Sequence, residues 1–261
     1  MINIWTLWKK ELSMYFVSPI AYVVLTIFLL LSGFFFNSIV VRVLEFSIQE
    51  MIQAQQFGGP PPARDLAQDI FRAFFGVMST IILFLIPMLT MGVFADEKRR
   101  GTIELLMTSP VTHWQIILGK FFASVSFYAL MLLPTLVHGW FVYRYSEPKL
   151  LWKPVLAGYL GIFLLGMVLI SFGIFISSLT ENQIISAVIT FALFIILWVI
   201  DFAAQGTGVV SEIMKYMSVL THFDEFAKGV IDTKGLVFYG SMILLGLFLT
   251  SSSVESMRWR E

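Results

Sequence analysis

Six apolar segments of membrane-spanning length constrain the fold of this chain more than any other feature. A helix needs about 20 mostly apolar residues to cross the hydrocarbon core of a bilayer. Six stretches satisfy that length: residues 19–38, 73–95, 114–142, 155–179, 183–202 and 236–253. Pro87 and Pro134 interrupt the second and third stretches, which is tolerated where neighbouring helices satisfy the freed carbonyl groups. The sequence therefore predicts an all-α integral membrane protein with six transmembrane helices.

Composition agrees with a membrane location and excludes several kinds of function. Of the 261 residues, 58% are hydrophobic and only 13% are charged, whereas soluble domains carry about 25% charged residues. The formal net charge of zero argues against a nucleic-acid partner. Because the chain contains no cysteine, disulfides, thiol catalysis and cysteine-ligated metals are excluded.

Residues 1–17 are predicted to form an amphipathic helix in the plane of the membrane interface. On a helical wheel, one arc holds Asn3, Thr6, Lys9, Lys10 and Ser13, and the other holds Ile4, Trp5, Trp8, Leu12, Tyr15 and Phe16. Lysines opposite tryptophans are typical of an interfacial helix. Glu11 alone breaks the pattern, and Ser18-Pro19 marks the boundary with the first span. A simple extension of the first span remains the alternative.

The second and third spans are separated by the run Asp96-Glu97-Lys98-Arg99-Arg100. At roughly 3 kcal/mol for each ionised side chain at a helix centre, these charges would cost on the order of 15 kcal/mol in lipid. They must therefore lie outside the bilayer.

The charged run leads into a predicted short helix of about two turns. Gly101-Thr102 can begin this helix, and Ser109-Pro110 is a stop-and-restart signal because proline suits the first position of a helix. Thr112 with Gln115 then fits a capping box that opens the third span. A solvated loop that only fixes the topology remains the alternative.

Nothing in the sequence forms a catalytic or metal-binding constellation. His113, His138 and His222 do not have the spacing of metal ligands. The chain lacks a GxxxxGK[ST] loop, so it cannot bind ATP through a Walker motif. We therefore expect no enzymatic activity, no catalytic or metal site and no cofactor in this chain.

Charged residues at the span ends give little support for an ion pathway. We expect Lys120, near the start of the third span, to snorkel to the interface, and Asp201, at the outer end of the fifth, to be solvated. The fourth span is glycine-rich, with Gly158, Gly161, Gly166 and Gly173, which predicts close helix packing.

The distribution of basic residues sets the predicted orientation. Eight lysines and arginines lie on the side of both termini and nine on the other side, but the eight lie close to span ends. Because the positive-inside rule applies near span ends, we expect both termini in the cytoplasm. Residues 39–72 are then a flexible outer loop. Residues 204–235 are an outer connection with short helices, since Ile213, Met217, Leu220, Phe223 and Ala227 have helical spacing.

A known family shares the pattern of the charged segment. The pattern is Glu97-x-x-x-Gly101-Thr102-x-Glu104-x-Leu106-x-x-x-Pro110, continuing to Gly119-Lys120. This pattern resembles the cytoplasmic loop of ABC type-2 export permeases. The order of elements along nearly the whole chain also resembles that family. Both ends of the chain look especially like gliding-motility permease subunits and are also similar to permeases linked to copper-enzyme maturation.

The resemblance implies that the permease and the ATPase are separate chains that assemble at a bacterial inner membrane. A second permease subunit would pair with this one, as a homo- or heterodimer, and a cytoplasmic ABC ATPase would hold ATP and magnesium. Segment 97–110 would be a coupling helix that docks in the ATPase. Its implied site residues are Glu97, Gly101, Thr102, Glu104, Leu106 and Pro110.

The N-terminal helix would correspondingly be an elbow helix that contacts membrane lipid and slides along the inner leaflet. Its implied residues are Trp5, Trp8, Lys9 and Lys10. The resemblance implies an ABC exporter. A membrane subunit that transmits mechanical work to an envelope machine, without carrying a substrate, remains the alternative. An intramembrane enzyme is disfavoured because no catalytic constellation is present.

Overall fold

The fold is known from a computed structural model, which describes residues 2–59, 65–107, 111–146, 151–204 and 209–258. Only the backbone is described for residues 2–3, 105–107, 201–204, 209–211, 213 and 257–258. All regular structure in the described ranges is helical. The helices are α1 (Ile2–Val17), α2 (Pro19–Phe57), α3 (Leu66–Thr90), α4 (Ala95–Arg99), α5 (Thr102–Met107), α6 (His113–Leu132), α7 (Leu136–Tyr145), α8 (Trp152–Leu179), α9 (Gln183–Ala204), α10 (Val209–Met217), α11 (Val219–Ala227) and α12 (Thr233–Arg258).

Six helical stretches of the described chain are long and apolar enough to cross a membrane. They are Pro19–Phe57, Leu66–Arg99, His113–Tyr145, Trp152–Leu179, Gln183–Ile200 and Thr233–Ser256. The predicted all-α class with six apolar helices is confirmed. A 3-10 turn at Leu133–Thr135 joins α6 to α7, so the helix tightens at Pro134 and does not end there.

Helix α8 is the centre of the bundle, and α3, α6, α9, α11 and α12 all pack against it. Its glycines permit this close approach. A methyl group at Gly158 would overlap the Phe75 ring, and one at Gly166 would overlap the Tyr128 ring. The Tyr128 hydroxyl donates a 2.7 Å hydrogen bond to the Ile162 carbonyl, which fixes the ring against α8. The close packing predicted from the glycines of the fourth span is confirmed.

The predicted flexible loop over 39–72 is wrong for much of its length. Helix α2 continues without a break to Phe57, and α3 already begins at Leu66. Residues 39–57 contain neither glycine nor proline, so nothing in the sequence stops the helix there. It ends where Gly58 adopts a left-handed conformation (φ 68°), which glycine adopts without steric cost.

The short helices predicted within 204–235 are present as α10 and α11. Helix α11 is fixed to the bundle by buried aromatic residues. Phe223 and Phe226 pack among buried apolar side chains, and the Tyr239 hydroxyl of α12 donates a 2.9 Å hydrogen bond to the Val219 carbonyl. The side chain of Asp201 lies outside the described residues, so its predicted solvation stays a prediction.

Candidate functional site

The segment between α3 and α6 is fixed to the bundle by one serine of α8. After α3 ends at Thr90, four residues turn the chain into α4. The backbone N–H groups of Phe94 and Ala95 donate to Ser177 Oγ at 3.0 and 3.2 Å. The same hydroxyl donates to the Met91 carbonyl at 2.9 Å. The first turn of α4 is therefore attached to α8, since helix-start N–H groups otherwise lack a partner.

A left-handed glycine separates α4 from α5. Gly101 has a φ of 67°, and its N–H donates to the Lys98 carbonyl at 3.0 Å. The Thr102 hydroxyl donates to the Glu97 carbonyl at 3.3 Å. A residue with a Cβ atom would be strained at this φ, so Gly101 permits the sharp turn. The predicted helix start at Gly101-Thr102 is confirmed, and α4 is an additional helical turn before it.

The charged segment is joined to two other helices through a buried ion network. Lys120 Nζ of α6 lies 2.8 Å from Glu97 Oε1 of α4 and 3.1 Å from Glu11 Oε2 of α1. The exposed fractions of the three side chains are 2% for Lys120, 16% for Glu97 and 8% for Glu11. The Phe94 ring adds a cation–π contact, with its centroid 5.2 Å from the ammonium. We call Glu11, Glu97 and Lys120 the ion network.

The prediction that Lys120 snorkels to the interface is therefore wrong. Snorkelling requires a path from the side chain to water, but here two carboxylates compensate the ammonium inside the protein. The network also explains why Glu11 breaks the amphipathic pattern of the first helix. Helices α1 and α6 approach each other closely here, because a methyl group at Gly119 of α6 would lie 2.9 Å from Leu7 Cβ of α1.

Two side-chain hydrogen bonds and a ring contact also attach α1 to α6. Trp8 Nε1 donates a 2.9 Å hydrogen bond to Ser126 Oγ, and the Tyr15 hydroxyl lies 2.8 Å from Ser124 Oγ. The Tyr15 ring stacks on Phe127 with centroids 5.1 Å apart. Burial raises the pKa of Tyr15 well above its ordinary value, so this hydroxyl stays protonated and can donate. Helix α1 is therefore packed on α6 along most of its length.

A cavity of about 730 Å³ opens beside the ion network, within the range of ligand-sized pockets. It is bounded by α1, the start of α2, the end of α3, α4, α6 and the start of α9. Its charged lining residues are Lys10, Glu11, Asp96, Glu97, Arg100 and Lys120. Glu97 Oε2 is buried and has no hydrogen-bond partner among the described residues. Because Asp96 and Glu97 of α4 line the cavity, movement of α4 would change both its shape and its charge distribution.

The structure brings some of the predicted site residues together and leaves others apart. Glu97 belongs to the ion network, and Gly101 forms the adjoining turn. Thr102 and Glu104 lie on an exposed surface, as do Trp5, Lys9 and Lys10. Trp8, by contrast, is bound to α6. Leu106 lies in α5 with only its backbone described, and Pro110 lies outside the described residues, so the stop signal there stays a prediction.

Sequence reasoning missed the role of Glu11, Lys120 and Ser177. A signal for the first two was available, because isolated charges of opposite sign in apolar surroundings usually pair with each other. Glu11 on an apolar helix face and Lys120 inside a span are such charges. For Ser177 no local signal exists, since its bonds join α8 to a segment more than 80 residues earlier in the chain.

Taken together, the fold defines a helical multi-pass membrane protein whose charged segment is tied to the bundle by buried polar contacts. The family model for the ABC-2 family transporter protein matches residues 5–251, so the chain belongs to that family. It is a permease subunit of an ABC transporter, a transport component rather than an enzyme. No curated protein matches the chain.

Proposed function

We propose that this subunit couples ATP hydrolysis by a separate cytoplasmic ABC ATPase to export across a bacterial inner membrane. Segment α4–α5 is the coupling element that contacts the ATPase, and ATP and magnesium bind to the partner chain. Both termini lie in the cytoplasm, and a second permease subunit completes the transmembrane unit. Helix α1 is the elbow helix in the inner leaflet.

The observation that supports this proposal is the ion network joining α4 to both α1 and α6. An element that receives force must be connected rigidly to the parts that move. The attraction between opposite charges is stronger in surroundings of low dielectric constant than in water, and charge-assisted hydrogen bonds between them are short and geometrically specific. Through Lys120 and Ser177, a displacement of α4 reaches α1, α6 and α8 directly.

The transmission follows from the packing of these helices. Closure of the ATPase pushes the exposed edge of α5, which carries Thr102 and Glu104, and the turn at Gly101 passes the movement to α4. Because packed helices change between discrete arrangements rather than deforming continuously, the bundle switches between two states. The cavity beside the network changes its volume in the same step.

The direct test is ATP turnover by the complex purified with its ATPase in mild detergent. The variants Glu104→Gln and Gly101→Ala remove an exposed carboxylate and the left-handed turn of the coupling element. We expect the ATPase to remain intact but its turnover to become independent of the permease. Glu225→Gln, an exposed carboxylate in α11, is the matched control and should behave like the parent. Normal coupling after replacing residues 97–108 with a scrambled sequence would contradict the proposal.

A second candidate function is transmission of mechanical work to an envelope machine such as a gliding-motility apparatus. The observation that favours it is the uninterrupted helix α2, which at about 1.5 Å per residue measures roughly 58 Å over its 39 residues. The hydrocarbon core is only about 30 Å thick, so α2 extends far beyond it. Deleting residues 50–65 tests this function: loss of partner assembly without loss of reconstituted export would support it, and loss of export alone would contradict it.

A further inference from the structure

Helix α2 carries an exposed stripe with a strict heptad spacing. Its positions alternate three and four residues apart: Val23, Ile27, Leu30, Phe34, Asn37, Val41, Leu44, Ile48 and Met51. We call these nine positions the α2 seam. Every seam position is exposed, while the opposite face of α2, with Val24 and Phe28, is buried against the bundle. Such spacing is the pattern by which one helix packs along another in a coiled coil.

The outer half of the α2 seam indicates that this surface contacts protein rather than lipid. An apolar residue on a bundle surface inside the membrane is satisfied by lipid. Residues 19–38 already provide the roughly 30 Å that crosses the hydrocarbon core. Val41, Leu44, Ile48 and Met51 therefore lie at or beyond the membrane surface, interleaved with charged and amide side chains such as Arg42 and Gln49. An apolar stripe in that setting needs a protein partner to exclude water.

Asn37 indicates which partner fits the α2 seam. It is the one polar residue in an otherwise apolar stripe. Asn37 occupies a d position of the repeat, three residues after Phe34 and four before Val41, and its amide is satisfied when it meets the amide of another asparagine at the same level of a parallel pair. A second copy of this chain supplies that asparagine. The two copies share one membrane topology, so their α2 helices run parallel and each seam residue faces its own counterpart.

The size of the α2 seam is adequate for a stable pair. Its eight apolar side chains are between 37% and 68% exposed. At these exposures they present roughly 750 Å² per copy, close to the ~800 Å² per partner of a standard protein interface. The seam runs from Val23 to Met51, which at about 1.5 Å per residue is about 42 Å of helix.

We propose that two copies of this chain pair through parallel α2 helices, along the α2 seam, with Asn37 facing Asn37 of the second copy. The inference rests on the two-subunit assembly of the proposed function and adds the partner and the surface. It makes the protein a homodimer whose two-fold axis runs beside α2. The extended outer parts of the two α2 helices would then form a short coiled coil outside the membrane.

The absence of cysteine from the chain makes a direct test possible. Single-cysteine variants of the full chain, Val41→Cys, Leu44→Cys and Ile48→Cys, are oxidised in native membranes and separated without reductant. Arg42→Cys, Gln49→Cys and Gln53→Cys are matched controls, exposed on the same helix but off the seam. A disulfide needs Cβ atoms about 3.8 Å apart, so we expect at least about fivefold more cross-linked dimer at the seam positions.

Three outcomes would overturn the proposal. They are equal cross-linking at seam and control positions, no cross-linking at any seam position, and cross-linking of seam positions to a different polypeptide identified by mass. Co-purification of the ATPase is measured on the same membranes. Retained ATPase with no seam cross-link would contradict the α2 pairing alone, whereas seam-specific cross-linking without any associated ATPase would contradict the proposed function alone.

Discussion

Lys120 and Glu97, 23 residues apart in the sequence, form a buried ion pair of 2.8 Å that joins α6 to α4. Replacing Lys120 with methionine would leave Glu97 and Glu11 buried without a compensating charge. Breaking a buried ion pair by removing one partner costs about 3–5 kcal/mol. We expect Lys120→Met to lower the midpoint of thermal unfolding of the detergent-solubilised protein strongly, as followed by loss of the monodisperse peak in size-exclusion chromatography.

The control for this prediction is an ion pair of similar geometry at the surface. Arg99 and Asp96 are 3.3 Å apart, with side chains 60% and 30% exposed, and such solvent-accessible pairs contribute about 0–1 kcal/mol. Arg99→Met should therefore leave the unfolding midpoint nearly unchanged. A triple variant that combines Lys120→Met with Glu11→Gln and Glu97→Gln removes all three charges and should recover most of the loss. Equal stability of Lys120→Met and the parent would contradict the structural role of the network.

Ser177 is predicted to matter for the position of α4 rather than for the core of the bundle. Ser177→Ala leaves the N–H groups of Phe94 and Ala95 without their acceptor. An unsatisfied buried donor costs about 1–3 kcal/mol. We expect faster hydrogen exchange at α4 and a modest loss of stability. Ser241→Ala, whose hydroxyl is exposed and bonds only within its own helix turn, should change neither, and unchanged exchange in Ser177→Ala would contradict the attachment.

The glycines of α8 provide a prediction about close packing. Gly166→Ala places a methyl group where the Tyr128 ring lies, and overpacking of this kind typically costs about 1–3 kcal/mol. We expect a lower yield of folded protein and a lower unfolding midpoint. Gly76→Ala is the matched control, because a Cβ atom there meets no other described atom within 4 Å. Comparable loss in both variants would show that helix flexibility, not close approach, is the reason for glycine at 166.

These contacts separate what the sequence predicts from what it does not. The apolar segments and the Thr112–Gln115 capping box are local patterns, and the structure confirms both, with Gln115 N–H donating to Thr112 Oγ1 at 3.4 Å. The predicted loop over 39–72 begins too early, because its strongest signal is the Gly-Gly-Pro-Pro-Pro run at 58–62 and residues 39–57 contain no glycine or proline to end the helix.

The ion network could not be predicted from one segment at a time. Glu11, Glu97 and Lys120 come from three helices, and only the fold brings their charges within 3.1 Å of one ammonium. The helical periodicity of residues 1–17 places Glu11 on the apolar arc of α1 but does not indicate which residue pairs with it. The position of Lys120 near the end of a span predicts that it snorkels to the interface. That prediction holds only where no carboxylate lies closer to the ammonium than water does.

The last prediction concerns how α1 is held, and it contrasts two tryptophans on the same helix. Trp8→Phe removes the 2.9 Å hydrogen bond to Ser126 but keeps an aromatic ring at the membrane interface. A hydrogen bond of this kind contributes about 0.5–1.5 kcal/mol. Trp5→Phe is the matched control, since Trp5 is exposed and stacks only on Trp8 among the ring contacts of the described residues. We expect Trp8→Phe to speed amide hydrogen exchange in α1 in detergent, while Trp5→Phe alters lipid-dependent binding of α1 and leaves the exchange unchanged. Equal exchange in the two variants would mean that α1 is held by the ion network and Tyr15 without help from Trp8.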